Sequence, residues 1–149
     1  MSGAVIVPDA SVLLKWILRS DDEPDHDRAL QLKTAWLEGA CELVVPSLWA
    51  FEVGNVLGLK QPEKATVLLG AMIDLGLRED APHGYVPAII TLMRAHKVTF
   101  YDAAYHALAI HHGGLMLTAD RAYVKKASRA GHLALLNDWR PPAPPVRRA

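Results

Sequence analysis

Four acidic side chains carry the chemistry that this sequence suggests: Asp9, Glu52, Asp102 and Asp120. Asp9 closely follows the β-branched run Ala4-Val5-Ile6-Val7, in Val7-Pro8-Asp9-Ala10-Ser11. Asp120 stands in the same relation to Leu115-Met116-Leu117-Thr118. Asp102 opens a helical stretch, in Thr99-Phe100-Tyr101-Asp102-Ala103-Ala104-Tyr105. Open parallel sheets bind ligands at the carboxyl ends of their strands, where strand order reverses, so acids just past a strand are the first to weigh. Singly, each aspartate has an ordinary reason to be there, because aspartate caps helices and suits the positive end of the helix dipole.

Capping does not explain Glu52. It is the only charged residue between Ser47 and Leu59. Helical spacing puts Leu48, Asn55, Val56 and Leu59 on its face. A carboxylate in such company must be protonated, paired or bound to a cation. No Lys or Arg lies three or four residues away on either side, so a partner must come from elsewhere in the fold. The ordinary alternative is a glutamate reaching solvent at an exposed edge.

Like charges gathered in one pocket repel and raise each other's pKa. A hard divalent cation with oxygen ligands, Mg²⁺ or Mn²⁺, relieves that repulsion. Such a centre suits phosphodiester hydrolysis, and it lets a protein without net positive charge bind a polyanion. Ser11, two residues after Asp9, is placed to hydrogen-bond a carboxylate or a bound water. Thr118 and Asn55 are read as supporting polar groups of the same kind, and Arg121, beside Asp120, as a phosphate contact.

The elements that must position these residues alternate short apolar runs with helical ones. Strands are expected at Ala4–Val7, Leu43–Val45, Leu115–Thr118 and Leu133–Leu136, with a weaker one at Leu77–Glu79. Helices are expected over Ser11–Arg19, Pro24–Glu38, from an Ser47 N-cap to Leu59, Pro62–Leu75, Tyr85–His96, Asp102–His112 and Arg121–Ala130. Strands separated by helices predict a parallel sheet of four to five strands covered on both faces, a three-layer α/β/α domain. That domain is expected to span residues 1–139, with the Pro/Arg-rich tail 140–149 disordered.

At 149 residues the chain has the length of one domain, and 51% hydrophobic with 21% charged residues excludes a low-complexity protein. Charge interrupts every apolar stretch short of the roughly 20 residues that span a membrane. The start lacks a basic segment and meets Asp9 early, so no secretion signal is expected. One cysteine, Cys41, excludes an internal disulfide and a multi-cysteine zinc site, and fits a cytoplasmic setting. Sixteen basic residues balance sixteen acidic ones, but unevenly. From Arg121 onward seven Lys or Arg stand against one Asp, a balance of +6, which leaves −6 before it. Five of the acids crowd into Asp21–Asp27, as expected of a solvated loop.

Four segments in order resemble the motifs of the PIN domain, especially its VapC-type toxins from bacterial toxin–antitoxin modules. They are Val7-Pro-Asp-Ala-Ser-Val-Leu-Leu-Lys-Trp16, Pro46-Ser-Leu-Trp-Ala-Phe-Glu-Val-Gly-Asn-Val-Leu57, Tyr101-Asp-Ala-Ala-Tyr-His-Ala-Leu-Ala109 and Leu117-Thr-Ala-Asp-Arg121. The resemblance covers nearly all but the tail. It implies an α/β/α fold and a Mg²⁺- or Mn²⁺-dependent endoribonuclease acting on single-stranded or loop RNA. Asp9, Glu52, Asp102 and Asp120 match the family's acidic quartet, and Ser11 its small hydroxyl position. It also implies a homodimer and an antitoxin whose tail covers the acidic pocket. Pro8, before the first aspartate, departs from the commoner apolar residue there.

Other readings stay open on residues alone. A receiver-type phosphoacceptor would want paired acids after the first strand and a lysine after the last; Asp9 stands alone and Asn137-Asp138 follows Leu136. A dehalogenase-like phosphatase would want a second Asp where Ser11 stands. A scaffold with structural acids is the third. His106, His111 and His112 lack the spacing of a helical zinc pair. Trp16, Trp36, Trp49 and Trp139 are read as filling the core or a dimer face, and Tyr101 and Tyr105 as packing in the core. Lys125, Lys126 and Arg129 are read as a solvated face.

Overall fold

The computed structural model describes residues 3–18 and 25–143. Five parallel strands form its centre: β1 (Ala4–Pro8), β2 (Cys41–Pro46), β3 (Arg78–Asp80), β4 (Leu115–Thr118) and β5 (Leu133–Leu135), in the order β3-β2-β1-β4-β5. The described helices are α1 (Ala10–Leu14), α2 (His26–Leu37), α3 (Trp49–Lys60), α4 (Ala65–Asp74), α5 (Val86–His96), α6 (Phe100–His111) and α7 (Arg121–Ala127). This is the three-layer α/β/α architecture. The chain moves outward from β1 to β3, then jumps back to lay β4 on the other side of β1. Right-handed crossovers then put α1 to α4 on one face and α5 to α7 on the other.

The central strands bury both sides, which is why they read as apolar runs without alternation. Ile6 and Val7 of β1, Leu43 to Val45 of β2 and Met116 and Leu117 of β4 are all buried. Between β1 and β4 the backbones approach closely: a Cβ at Gly114 would lie 2.3 Å from the Val5 carbonyl oxygen. Helix α6 covers this centre with an almost entirely buried run from Ala103 to Ala109. Trp49 is buried, and Trp16 stacks on Trp36 with ring centroids 6.2 Å apart.

Several boundaries differ from the sequence expectation, each for a local reason. The first helix ends at Leu14, four residues before the last described residue of that segment; Arg19 and Asp21 to Pro24 lie outside the described residues. Ser47 does not cap α3: its N–H donates to the Asp80 carbonyl at 3.2 Å, tying β2 to β3, and the helix starts at Trp49. Pro62 stands in a turn, and α4 begins at Ala65. Strand β3 runs one residue later than expected, because Val44, Val45 and Pro46 pair with Arg78, Glu79 and Asp80. Helix α7 tightens into a 3₁₀ turn after Ala127, and Leu136 opens another after β5. Arg140 to Ala143 are exposed without helix or strand, and residues 144–149 of the tail lie outside the described part. Among the described residues, no helix is long and apolar enough to cross a membrane.

Candidate active site

The strand order explains how acids far apart in sequence come together. Asp9 follows β1, Asp120 follows β4, and Glu52 lies in the first turn of the helix after β2. Strands β2, β1 and β4 are neighbours, so these three acids stand at adjacent carboxyl ends, around the point where strand order reverses. Asp102 is the third residue of α6, which packs on β1, β2 and β4. It does not open the helix as expected. Thr99 is the cap, and its hydroxyl accepts from the Asp102 N–H at 3.2 Å.

Asp9 is the most enclosed of the four, at 8% exposure. Its Oδ1 accepts from the Ser11 hydroxyl and from the Val12 N–H at 3.2 Å. Its Oδ2 accepts from the Thr118 hydroxyl at 2.5 Å. The capping role is therefore real, yet it leaves one lone pair of Oδ2 uncommitted, since each carboxylate oxygen can accept twice. Ser11 and Thr118 bind the two loops together, for Ser11 Oγ accepts from the Ala119 N–H at 3.0 Å and Thr118 Oγ1 from the Asp120 N–H at 3.0 Å. Asp120 caps α7 by accepting from the Tyr123 N–H at 3.1 Å. Arg121 is exposed beside it. Asn55 is exposed on α3, as are Phe51 and Leu59, and among the described residues it makes no hydrogen bond to the carboxylates.

The partner of Glu52 is Tyr105, whose hydroxyl donates to Oε1 at 2.6 Å. Tyr105 is buried, whereas Tyr101 is 60% exposed and does not pack in the core as expected. Sequence reasoning missed the Tyr105 role. The signal was its place three residues after Asp102 on one helix face. It also missed Thr99, although Thr99-Phe100-Tyr101-Asp102 has the spacing of a capping box.

The charges report the convergence. Burial above all, and last the Asp102 charge, push the Asp9 carboxyl up to about 6, against the lowering hydrogen bonds from Ser11, Thr118 and Val12. Burial raises Glu52, the Tyr105 hydrogen bond opposes this, and the Asp102 charge adds to it. Burial also raises Asp102, with Thr99 and Lys126 lowering it and Asp120 raising it. Asp102 is thus the acid that each of the others senses or is sensed by. Lys126, expected only on a solvated face, contributes its charge here.

The donors fit a hard cation: carboxylate and hydroxyl oxygens, with no thiol and no imidazole among them. Among the described residues no three His, Cys, Asp or Glu side chains stand close enough together to hold a metal ion as they are placed. The histidines serve elsewhere. His106 is buried between Tyr123 and the Gly131 carbonyl, and His112 pairs with Asp80 at 2.7 Å.

Comparison with known proteins agrees with this architecture. Residues 6–129 match the profile of the PIN domain. The chain belongs to the PIN-domain family. A relative within it, Ribonuclease VapC3 of Pyrobaculum aerophilum, is 31% identical over 130 residues, covering 81% of this chain and 93% of the relative. A toxin–antitoxin complex from Klebsiella pneumoniae superposes with a TM-score of 0.64 at 15% identity, over 88% of this chain and 97% of that one. VapC20 of Mycobacterium tuberculosis, a sarcin–ricin loop cleaving toxin, superposes with a TM-score of 0.59 at 21% identity, over 85% and 95%. This PIN domain, of the VapC type, keeps an acid after β1, in the first turn of α3, in the first turn of α6 and after β4.

Proposed function

We propose that this PIN domain is a divalent-metal-dependent endoribonuclease that cuts single-stranded or loop RNA, the toxin of a toxin–antitoxin pair. One observation carries the reading: an enclosed carboxylate, Asp9, is coupled through Asp102 to two further acids, Glu52 and Asp120, where the strand order reverses. The VapC3 ribonuclease at 31% identity supports the reaction class. Asp9, Asp102, Asp120 and Glu52 would hold Mg²⁺ or Mn²⁺. When bound, the ion would polarise the scissile phosphate and make a coordinated water nucleophilic near neutral pH.

The chain's own residues have distinct tasks. Ser11 and Thr118 fix the Asp9 carboxylate and lower its pKa, keeping it anionic near neutrality. Tyr105 holds the Glu52 carboxylate, and its hydrogen bond opposes the upward push of burial on that group. Burial and the charges of Glu52, Asp9 and Asp102 drive the Tyr105 hydroxyl upward, so it stays a donor and is no base. Arg121, exposed at the start of α7, faces solvent where a phosphate can approach. A cognate antitoxin and a second copy of the chain are partners that the VapC type brings to this reading.

The test is cleavage of an end-labelled RNA by the chain, by Asp9→Asn and by Asp102→Asn, purified identically, with Mg²⁺ or Mn²⁺ and with EDTA. The reading requires cleavage by the first alone and its loss in EDTA. An Asp9→Asn protein as active as the parent overturns the site.

A further inference from the structure

A basic cleft flanks the carboxylates on one side, and the catalytic reading leaves it unused. Ser11, which donates to Asp9, and Ala119, whose N–H donates to Ser11, also wall a cleft of ≈ 200 Å³. Lys15, Leu18 and Lys60 line it further out. Leu18 is shared with a second cleft of ≈ 260 Å³, bounded by Gln61, Lys64 and Leu68. The two clefts share Leu18 beside the packing of α1 against α3, and between them they carry Lys15, Lys60 and Lys64.

Folding does not account for all of these charges. Lys64 stands at the N-cap of α4 and makes no capping hydrogen bond. A cation there is opposed by the helix dipole, which favours Asp or Ser at that position. Among the described residues neither Lys60 nor Lys64 forms an ion pair. Glu63 is the only acid in the turn that joins α3 to α4. A chain of zero net charge with four acids at its centre repels a polyanion there. Local cations beside that centre are what such a protein needs to hold one.

We infer that Lys15, Lys60 and Lys64 form a phosphate track that holds the RNA strand on one side of the acidic centre. The identity of the polyanion rests on the nuclease reading above. The track binds the backbone rather than stacking bases: Leu14, Leu18 and Leu68 form its walls, lysines with Ser11 and Gln61 supply its polar groups, and no aromatic ring lines it.

The test separates binding from cutting. Asp9→Asn serves as the background, a short fluorescein-labelled single-stranded RNA as the probe, and anisotropy at several salt concentrations as the readout. Adding Lys60→Gln with Lys64→Gln weakens binding on the order of tenfold at low salt. It also flattens the slope of log K against log salt by about 1.4, two phosphate contacts at about 0.7 each. Lys60→Arg with Lys64→Arg restores the slope, and Arg94→Gln with Lys97→Asn, on the opposite helical layer, leaves it unchanged. An unaltered slope in the first pair, or an equal loss in the distant pair, overturns the track. Cleavage by the unmutated chain is scored separately. An active chain whose salt slope ignores Lys60 and Lys64 sinks the track alone, and an inactive chain sinks the nuclease reading while the binding result stands.

Discussion

Tyr105 of α6 donates its phenolic proton to Glu52 of α3 at 2.6 Å, a bond between the two helical layers at the carboxyl edge of the sheet. It explains how a glutamate survives in an apolar helix without a basic neighbour. Tyr105→Phe removes that donor while keeping the ring. The expected result is a loss of about 1–3 kcal/mol of stability, read by urea denaturation, together with weaker cleavage. Full stability and full activity in this variant would show that the bond is incidental.

Asp9 sets function against stability. Its carboxyl is pushed from 3.8 in the unfolded chain up to about 6 in the fold. The folded state therefore keeps a proton that the unfolded state releases, and stability falls as pH rises from about 3.8 to about 6. Above that window the penalty is complete, on the order of 3 kcal/mol at most. Asp9→Asn should abolish cleavage yet raise the melting temperature at pH 7 without divalent cations. A variant that melts lower there contradicts the buried-charge account.

Thr118 holds both neighbouring acids, donating to Asp9 and accepting from the Asp120 N–H. Thr118→Val keeps the shape and deletes both bonds. Cleavage should drop roughly 10–100-fold, the usual effect of removing a group that orients a metal ligand. Thr118→Ser should retain most activity, and equal rates for Val and Ser would exclude an orienting role.

His106 adds an acid-sensitive element to the core. The Gly131 carbonyl can only accept, so Nε2 carries the proton and Tyr123 donates to Nδ1. Burial holds the imidazole below its ordinary 6.5, with the charges of His96 and His132 helping and the Gly131 bond opposing. As pH falls through 6.5, the unfolded chain takes up a proton that the folded one resists, and stability is lost. The stability advantage of the parent over His106→Gln should therefore shrink between pH 8 and pH 5, a range chosen around that value. A constant difference refutes the neutral, doubly bonded imidazole.

Much of the architecture was legible because buried parallel strands leave continuous apolar runs, as at Ile6-Val7 and Leu43-Val44-Val45. The acids at Asp9 and Asp120 were legible from their place after strands. Glu52 was legible as an anomaly, but its partner was not, because Tyr105 lies 53 residues away and only the fold brings them together. Helix starts were read least well. Ser47 has the chemistry of a cap, yet its N–H extends the pairing with β3 by donating to the Asp80 carbonyl, and α3 starts two residues later, at Trp49.

Gly114 tests the packing that sets the two central loops side by side. A Cβ there meets the Val5 carbonyl oxygen at 2.3 Å, a backbone atom that cannot swing away. Gly114→Ala should cost about 1–3 kcal/mol or more, as overpacking does, measured by chemical denaturation. A neutral substitution would mean that β1 and β4 approach less closely than described.

The most direct measurement is a calorimetric titration of Mn²⁺ into the chain and into Asp102→Asn. Because Asp102 is the charge that links the other three acids, the account predicts a saturable isotherm for the first and a loss of at least about tenfold in affinity for the second. Equal affinity in the two proteins, or no saturable binding in the first, would contradict a shared cation at this edge of the sheet.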